Sequence, residues 1–136
     1  MSKTMLIPYL AFNGDARAAM EFYHQLLGGD LDMQTFAESH QETSERYKDK
    51  LIHAKLEADE MTLMASDGME GRELVFGDNV SLSLSGSDKA KLTEVFNGLA
   101  EGGKVTMPLE EQFWGDTFGM VDDKFGVHWM VNITKE

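Results

Sequence analysis

A chain of 136 residues with 42% hydrophobic and 26% charged side chains is long enough to bury one core or two packed half-cores, and no apolar run in it approaches the roughly 20 residues that cross a bilayer. Its 24 acidic against 12 basic residues give a formal net charge of -12, which repels nucleic-acid and anionic-membrane phosphates, suits a neutral or cationic ligand better, and is first of all a solubility feature. The absence of cysteine excludes disulfides, thiolate nucleophiles and Cys-ligated zinc or iron–sulfur centres at once.

The opening MSKTMLIPYLAF carries one lysine and runs straight into a strand pattern without a small-residue cleavage site, so it reads as mature structure and the expected location is the cytoplasm. Met5 to Phe12 reads as the first strand. Asn13-Gly14-Asp15 then supplies turn and cap residues for a helix whose apolar stripe is Ala16, Ala19, Met20, Tyr23, Leu26 and Leu27, and Gly28-Gly29 stops it. A second strand is predicted near Leu31 to Ala37. The polar stretch Ser39 to Lys50 has no clear period and reads as a solvated loop or a short surface helix. Leu51 to Ala58 and Met61 to Asp67 form a predicted hairpin around Asp59-Glu60, and a loop follows from Gly68 to Asp78.

The second half repeats this order. Asn79 to Ser85 reads as a strand, Ser87 and Asp88 as caps for a helix with the stripe Leu92, Val95, Phe96 and Leu99, and Gly102-Gly103 as its stop. A shift of 72 places Leu10 on Leu82, Phe12 on Leu84 and Leu27 on Leu99, the Gly-Gly pairs are offset by 74, and a shift of 66 pairs Met64 with Met130. The economical inference is a weak duplication of a strand-helix-three-strand unit, with modules at about 1–75 and 76–136 of one domain. The second module ends in FWGDTFGMVDDKFGVHWMVN, a predicted hairpin in which Val127, Trp129, Val131 and Ile133 alternate with His128, Met130 and Asn132 around the turn Asp122 to Gly126.

Few polar constellations suggest chemistry. The four histidines, His24, His40, His53 and His128, form no i, i+2 or i, i+4 pair, so a metal cluster would have to be assembled wholly by the fold, against the simpler reading of exposed or hydrogen-bonded rings. His53 is the best single candidate for a general base and shares a strand face with Leu51 and Lys55 by simple alternation. Asp122-Asp123 and Glu110-Glu111 point to opposite faces as strand neighbours and cannot act as dyads; the first pair is better explained as turn chemistry. No GxxxxGK[ST] or GxGxxG motif is present. The ten methionines and two tryptophans are the larger signal, either as ordinary core or as the wall of an apolar pocket.

Pro8-Tyr9-Leu10-Ala11-Phe12-Asn13-Gly14, Phe22-Tyr23 with Gly28-Gly29, Phe113-Trp114, Phe118-Gly119, and Asp123 through Asn132 together resemble the PhnB-like branch of the glyoxalase, bleomycin-resistance and extradiol-dioxygenase superfamily, the vicinal oxygen chelate proteins. The resemblance covers essentially the whole chain. It implies an α+β fold of paired βαβββ modules with curled mixed sheets around a cavity, and a homodimer. In metal-dependent members the ligands come from the first and last strands of both modules; here those positions fall on Pro8 (or Ile7), Met64, Asn79 (or Val80) and Met130, none a good ligand for a hard or borderline divalent ion. No cofactor is therefore expected, and no methyl-transfer activity, although members of the branch carry a methyltransferase-like name. The expected function is metal-independent binding of a small molecule by Leu10, Phe12, His53, Met64, Asn79, Ser81, Trp114 and Met130, without catalytic residues that can be named. By strand parity Trp129 should face the helix layer, and Met130 the cavity. The alternatives are a metal-dependent lyase, isomerase or dioxygenase with unusual ligands, including His53 and Asp67, and a dimeric scaffold with a filled interior.

Overall fold

Ala16, Ala19, Met20, Tyr23 and Leu27 recur at helical spacing, and all are buried in the helix they build, α1 (Ala16–Leu27). The structure, a computed structural model, describes residues 4–39, 43–68 and 70–135, so residues 40–42 of the predicted polar loop and its His40 lie outside it. The chain divides into two compact units, Met1–Val75 and Phe76–Glu136.

The first unit adds β1 (Tyr9–Ala11), β2 (Asp30–Thr35), β3 (Leu51–Ala58) and β4 (Met61–Ser66) in an open sheet of order β1-β4-β3-β2, with β1 parallel to β4 and the other pairs antiparallel. Ala54, Leu56 and Ala58 of β3 and Leu63 and Ala65 of β4 are buried on the α1 side, the alternation that two distinct sheet faces demand. The first strand is shorter than the predicted Met5 to Phe12, because a strand needs a partner backbone: Leu6, 99% exposed, has only apolar sequence in its favour. In β3 the partners jump from Gln34–His53 to Thr35–Leu51, making Ile52 an extra, bulged residue. The bulge breaks the alternation on which Leu51 was expected to share a face with His53, and Leu51 is fully buried.

The second unit consists of β5 (Leu82–Gly86), α2 (Lys89–Ala100), β6 (Lys104–Glu111), β7 (Thr117–Asp122) and β8 (His128–Ile133), with the open sheet order β5-β8-β7-β6. Its core is Val95, Phe96 and Leu99 of α2 against Val121, Trp129, Val131 and Ile133. Gly119 of β7 lies under α2, where a Cβ would come within 2.9 Å of Phe96 Cε2. The two sheets repeat one topology, so the chain has an α+β fold made of two βαβββ units.

Register refines the duplication. Tyr9 pairs with Met64 and Ser83 with Met130, so β1 and β5 correspond with an offset of 74, as the Gly-Gly pairs do, while the buried helix positions Tyr23 and Val95, and Leu27 and Leu99, keep the offset of 72. The Gly-Gly pairs hold equivalent places for a steric reason: a Cβ on Gly29 would lie 2.1 Å from the Glu57 carbonyl oxygen, and one on Gly103 2.2 Å from that of Asp122. Each helix end is thereby pressed against the same hairpin of its own sheet. The helix starts differ. Asp88 caps α2 by accepting from Lys91 N, whereas α1 has no side-chain cap of its own and Asp67 Oδ1 accepts from Ala16 N at 2.9 Å.

Candidate functional site

In each unit the helix packs against one face of the sheet, and the candidate polar and thioether side chains lie on the face away from it. On the first sheet, Tyr9, Met64, Lys55 and Asp32 form one row across four strands, and His53 and Gln34 are opposite each other in the next. Tyr9 Oη lies 3.2 Å from His53 Nδ1, and their rings are 5.8 Å apart. Lys55 Nζ is 3.5 Å from Glu57 on the same strand face.

On the second sheet the row is Ser83, Met130, Met120 and Met107, flanked on one side by Ser85, Asn132, Phe118 and Glu110 and on the other by His128, Asp122 and Lys104. Three thioethers therefore stand side by side, with Met107 40% exposed. Trp114, on the turn between β6 and β7 and 51% exposed, extends this apolar floor: its ring is 6.1 Å from Phe118 and 5.0 Å from Phe113. Asn132 Nδ2 donates to Asp116 Oδ2 at 3.0 Å at the edge of the floor.

The predicted contact residues separate on this map. Met64 and His53 share the uncovered face of the first sheet, and Met130 the uncovered face of the second, with Trp114 against Phe118. Leu10 lies instead on the α1 side, in register with Ala65 and Ala54, and Phe12 is 1% exposed in that core. The difference is one residue of register: Met64 faces Tyr9, not Leu10. Asn79 and Ser81 precede β5 outside the sheet, because the strand begins at Leu82 and not at Asn79. Sequence reasoning did not place Tyr9 beside Met64, or Met107, Met120, Phe118 and Asn132 around Met130. Parity within the hairpin places Phe118 with Met120, and that signal was available; the alignment of Met107 depends on two register shifts in β6 that no pattern shows.

The acidic residues resolve into structural roles. Asp67 is buried, and its carboxylate accepts from Gly14 N and Ala16 N through Oδ1 and from Leu51 N at 2.8 Å through Oδ2. Asp123 accepts from Phe125 N and Val127 N in the turn and from Trp129 Nε1 at 2.9 Å. Trp129 thus faces the core as its parity requires, with its one N–H on a buried carboxylate. His128 has both ring nitrogens against acceptors, Asp122 Oδ1 and the Gly77 carbonyl, and its pKa is raised, first by the Asp122 hydrogen bond and then by Gly77. His24 Nε2 lies 3.0 Å from the Gly29 carbonyl.

The family's metal positions can be tested against this chemistry. The Pro8 carbonyl accepts from Met64 N, Met64 and Met130 present thioethers, and Asn79 is exposed ahead of β5. That donor set does not fit a hard or borderline divalent ion. Among the described residues no three His, Asp or Glu side chains gather as a metal site, and no helix is long and apolar enough to cross a membrane.

The family model described as 3-demethylubiquinone-9 3-methyltransferase matches residues 4–132. Protein YjdN of Escherichia coli is 34% identical over 143 aligned residues, spanning 96% of each chain. Among solved structures, protein PA1353 of Pseudomonas aeruginosa superposes with a TM-score of 0.87 at 41% identity, over 98% of this chain and 100% of that one. A putative 3-demethylubiquinone-9 3-methyltransferase, PhnB protein, of Bacillus cereus gives 0.77 at 25% identity, over 96% and 100%. A glyoxalase-related enzyme of Fulvimarina pelagi gives 0.66 over 98% and 89% but at 14% identity, a likeness of fold alone.

Proposed function

The chain belongs to the family described as 3-demethylubiquinone-9 3-methyltransferase, the PhnB-like branch of the glyoxalase and bleomycin-resistance superfamily, and from that premise we propose that it binds a small organic molecule without a metal ion. The observation that carries this reading is the row Met107, Met120 and Met130 beside Phe118 and Trp114. Thioethers adapt to irregular apolar shapes, and half-exposed aromatic rings offer flat contact at low entropic cost. Asn132 and Ser83 at the margins supply the few polar groups that orient a ligand in such a site. Methyl transfer is not carried over from the family's description, since the chain has no glycine-rich nucleotide motif.

A thermal-shift screen of apolar and aromatic compounds, with divalent metals in parallel, tests the reading, because a ligand of the folded state raises the melting temperature by mass action. We expect shifts from organic compounds that are lost in Met130→Lys, and none from metals. A stoichiometric divalent ion in chelator-free protein that disappears on His53→Ala would overturn the proposal in favour of a metal-dependent lyase, isomerase or dioxygenase. Association into a homodimer belongs to the same reading, and sedimentation equilibrium tests it: a monomer at all concentrations removes that part.

A further inference from the structure

We propose that Tyr9 and His53 form a proton-transfer dyad on the uncovered face of the first sheet, with Lys55 positioned for the oxyanion that the transfer creates, and that its substrates are small carbon acids. It rests on the ligand-binding reading only in requiring access to a sheet face, and it uses a different unit of the chain.

Three observations converge. The parallel pairing of β1 with β4 brings Tyr9 beside Met64, and the antiparallel β3 places His53 within reach, so a bond between residues 44 apart in sequence exists only because of this sheet order. The bond falls on Nδ1 at 3.2 Å; in the tautomer where Nδ1–H donates to the tyrosine oxygen, the lone pair is on Nε2, which is then the basic atom of the ring. Nucleophile or base, partner ring and exposed approach are the recurring parts of such a device, and Tyr9 is 52% exposed. Lys55 supplies the third part. It follows His53 by two residues on one strand face, about 6.7 Å along the strand, a span that a small acid and its conjugate oxygen bridge. Its ion pair with Glu57 is loose and solvated, so the ammonium group can turn to a bound oxyanion.

The charged and titratable groups on the same sheet face as His53 are Tyr9 from β1, Lys55 and Glu57 from β3, and Asp30 and Asp32 from β2, while Thr62, Met64 and Ser66 of β4 and Gln34 of β2 are neutral. In the step itself, the substrate C–H proton passes to His53 Nε2. The C–H electron pair moves into the neighbouring unsaturated group and ends as negative charge on oxygen beside Lys55. Return of the proton to carbon restores the imidazole, and no oxidant or reductant is consumed. Tyr9 is a positioning residue, holding the ring and its tautomer.

Nitrobenzisoxazole is the probe. Its ring C–H proton goes to His53, the C–H pair completes the nitrile, the N–O bond breaks, and the oxygen leaves as a coloured phenolate. We expect saturable elimination above buffer, reduced about a hundredfold in His53→Gln, the scale of one general base. Lys55→Met should lower kcat with KM nearly unchanged, Tyr9→Phe should lower kcat severalfold with KM likewise nearly unchanged, and His24→Gln should behave as the parent protein. Melting temperatures of each variant separate unfolding from loss of chemistry. Elimination no faster than in His53→Gln, or a kcat indifferent to Tyr9→Phe, overturns the dyad. Organic ligands that still raise the melting temperature in a protein without elimination sink the dyad and leave the binding reading intact; elimination without any ligand-induced shift does the reverse.

Discussion

His128 Nδ1 lies 2.6 Å from Asp122 Oδ1 across the β7–β8 pair, while Nε2 of the same ring meets the Gly77 carbonyl at 3.0 Å. A neutral imidazole has one N–H, so only the imidazolium donates to both acceptors. The pair therefore ties residue 77, ahead of β5, to the hairpin when the ring is charged.

This gives stability a pH dependence of known sign. The folded pKa of His128 is raised above 6.5, so the folded state holds the proton more tightly than the unfolded chain. The contribution is complete below the unfolded value and is lost as pH rises from there through the folded value. Because the pair is partly solvated, its size is about 1 kcal/mol. Urea unfolding at a series of pH values should show this decline, and His128→Gln should flatten it; an unchanged profile in the variant would remove the role.

Asp67 should matter more. Its carboxylate accepts three backbone N–H groups that join the start of α1 to β3 and β4, and Asp67→Ala leaves those donors without it in a buried setting. The expected loss is about 3–5 kcal/mol, read as a lower urea midpoint. Asp67→Asn should recover part of it, since the amide oxygen still accepts.

The Gly-Gly stops predict an asymmetric pair of substitutions. Gly28→Ala meets no atom within 4 Å and strains only its own backbone, but at φ 75° and ψ -157° that conformation is essentially restricted to glycine, a cost of about 1–3 kcal/mol. Gly29→Ala adds a Cβ 2.1 Å from the Glu57 carbonyl and should cost at least about 3 kcal/mol, because backbone on both sides must move. Equal melting temperatures for the two variants would contradict the packing described here.

Trp114 and Trp129 should separate binding from stability. Trp114→Ala removes a half-exposed ring and is expected to change stability by under about 1 kcal/mol while abolishing ligand-induced melting shifts. Trp129→Phe takes the indole donor from the buried Asp123 carboxylate and should destabilise by about 1–3 kcal/mol. Chemical unfolding of both variants, with and without ligand, reads the difference.

The sequence by itself determined both helices, the hairpin of β3 and β4 and the two faces of β8, but not the bounds of β1 and β5 or the strand β6. Both helices follow from apolar spacing between cap residues and Gly-Gly stops, and the hairpin of β3 and β4 falls within a residue of its predicted bounds because alternation, a polar turn and a buried face all agree. Trp129 and Met130 were assignable to opposite faces for the same reason. Only tertiary structure decided which residues of different strands meet. Alternation repeats every two residues and is blind to which strand lies alongside, so nothing local distinguishes Tyr9 from Leu10 as the partner of Met64, or predicts the bulge at Ile52 that buries Leu51. The rows that carry the proposed chemistry, Tyr9 with His53 and Met107 with Met120 and Met130, are products of interstrand register, set by backbone hydrogen bonds between segments distant in the chain.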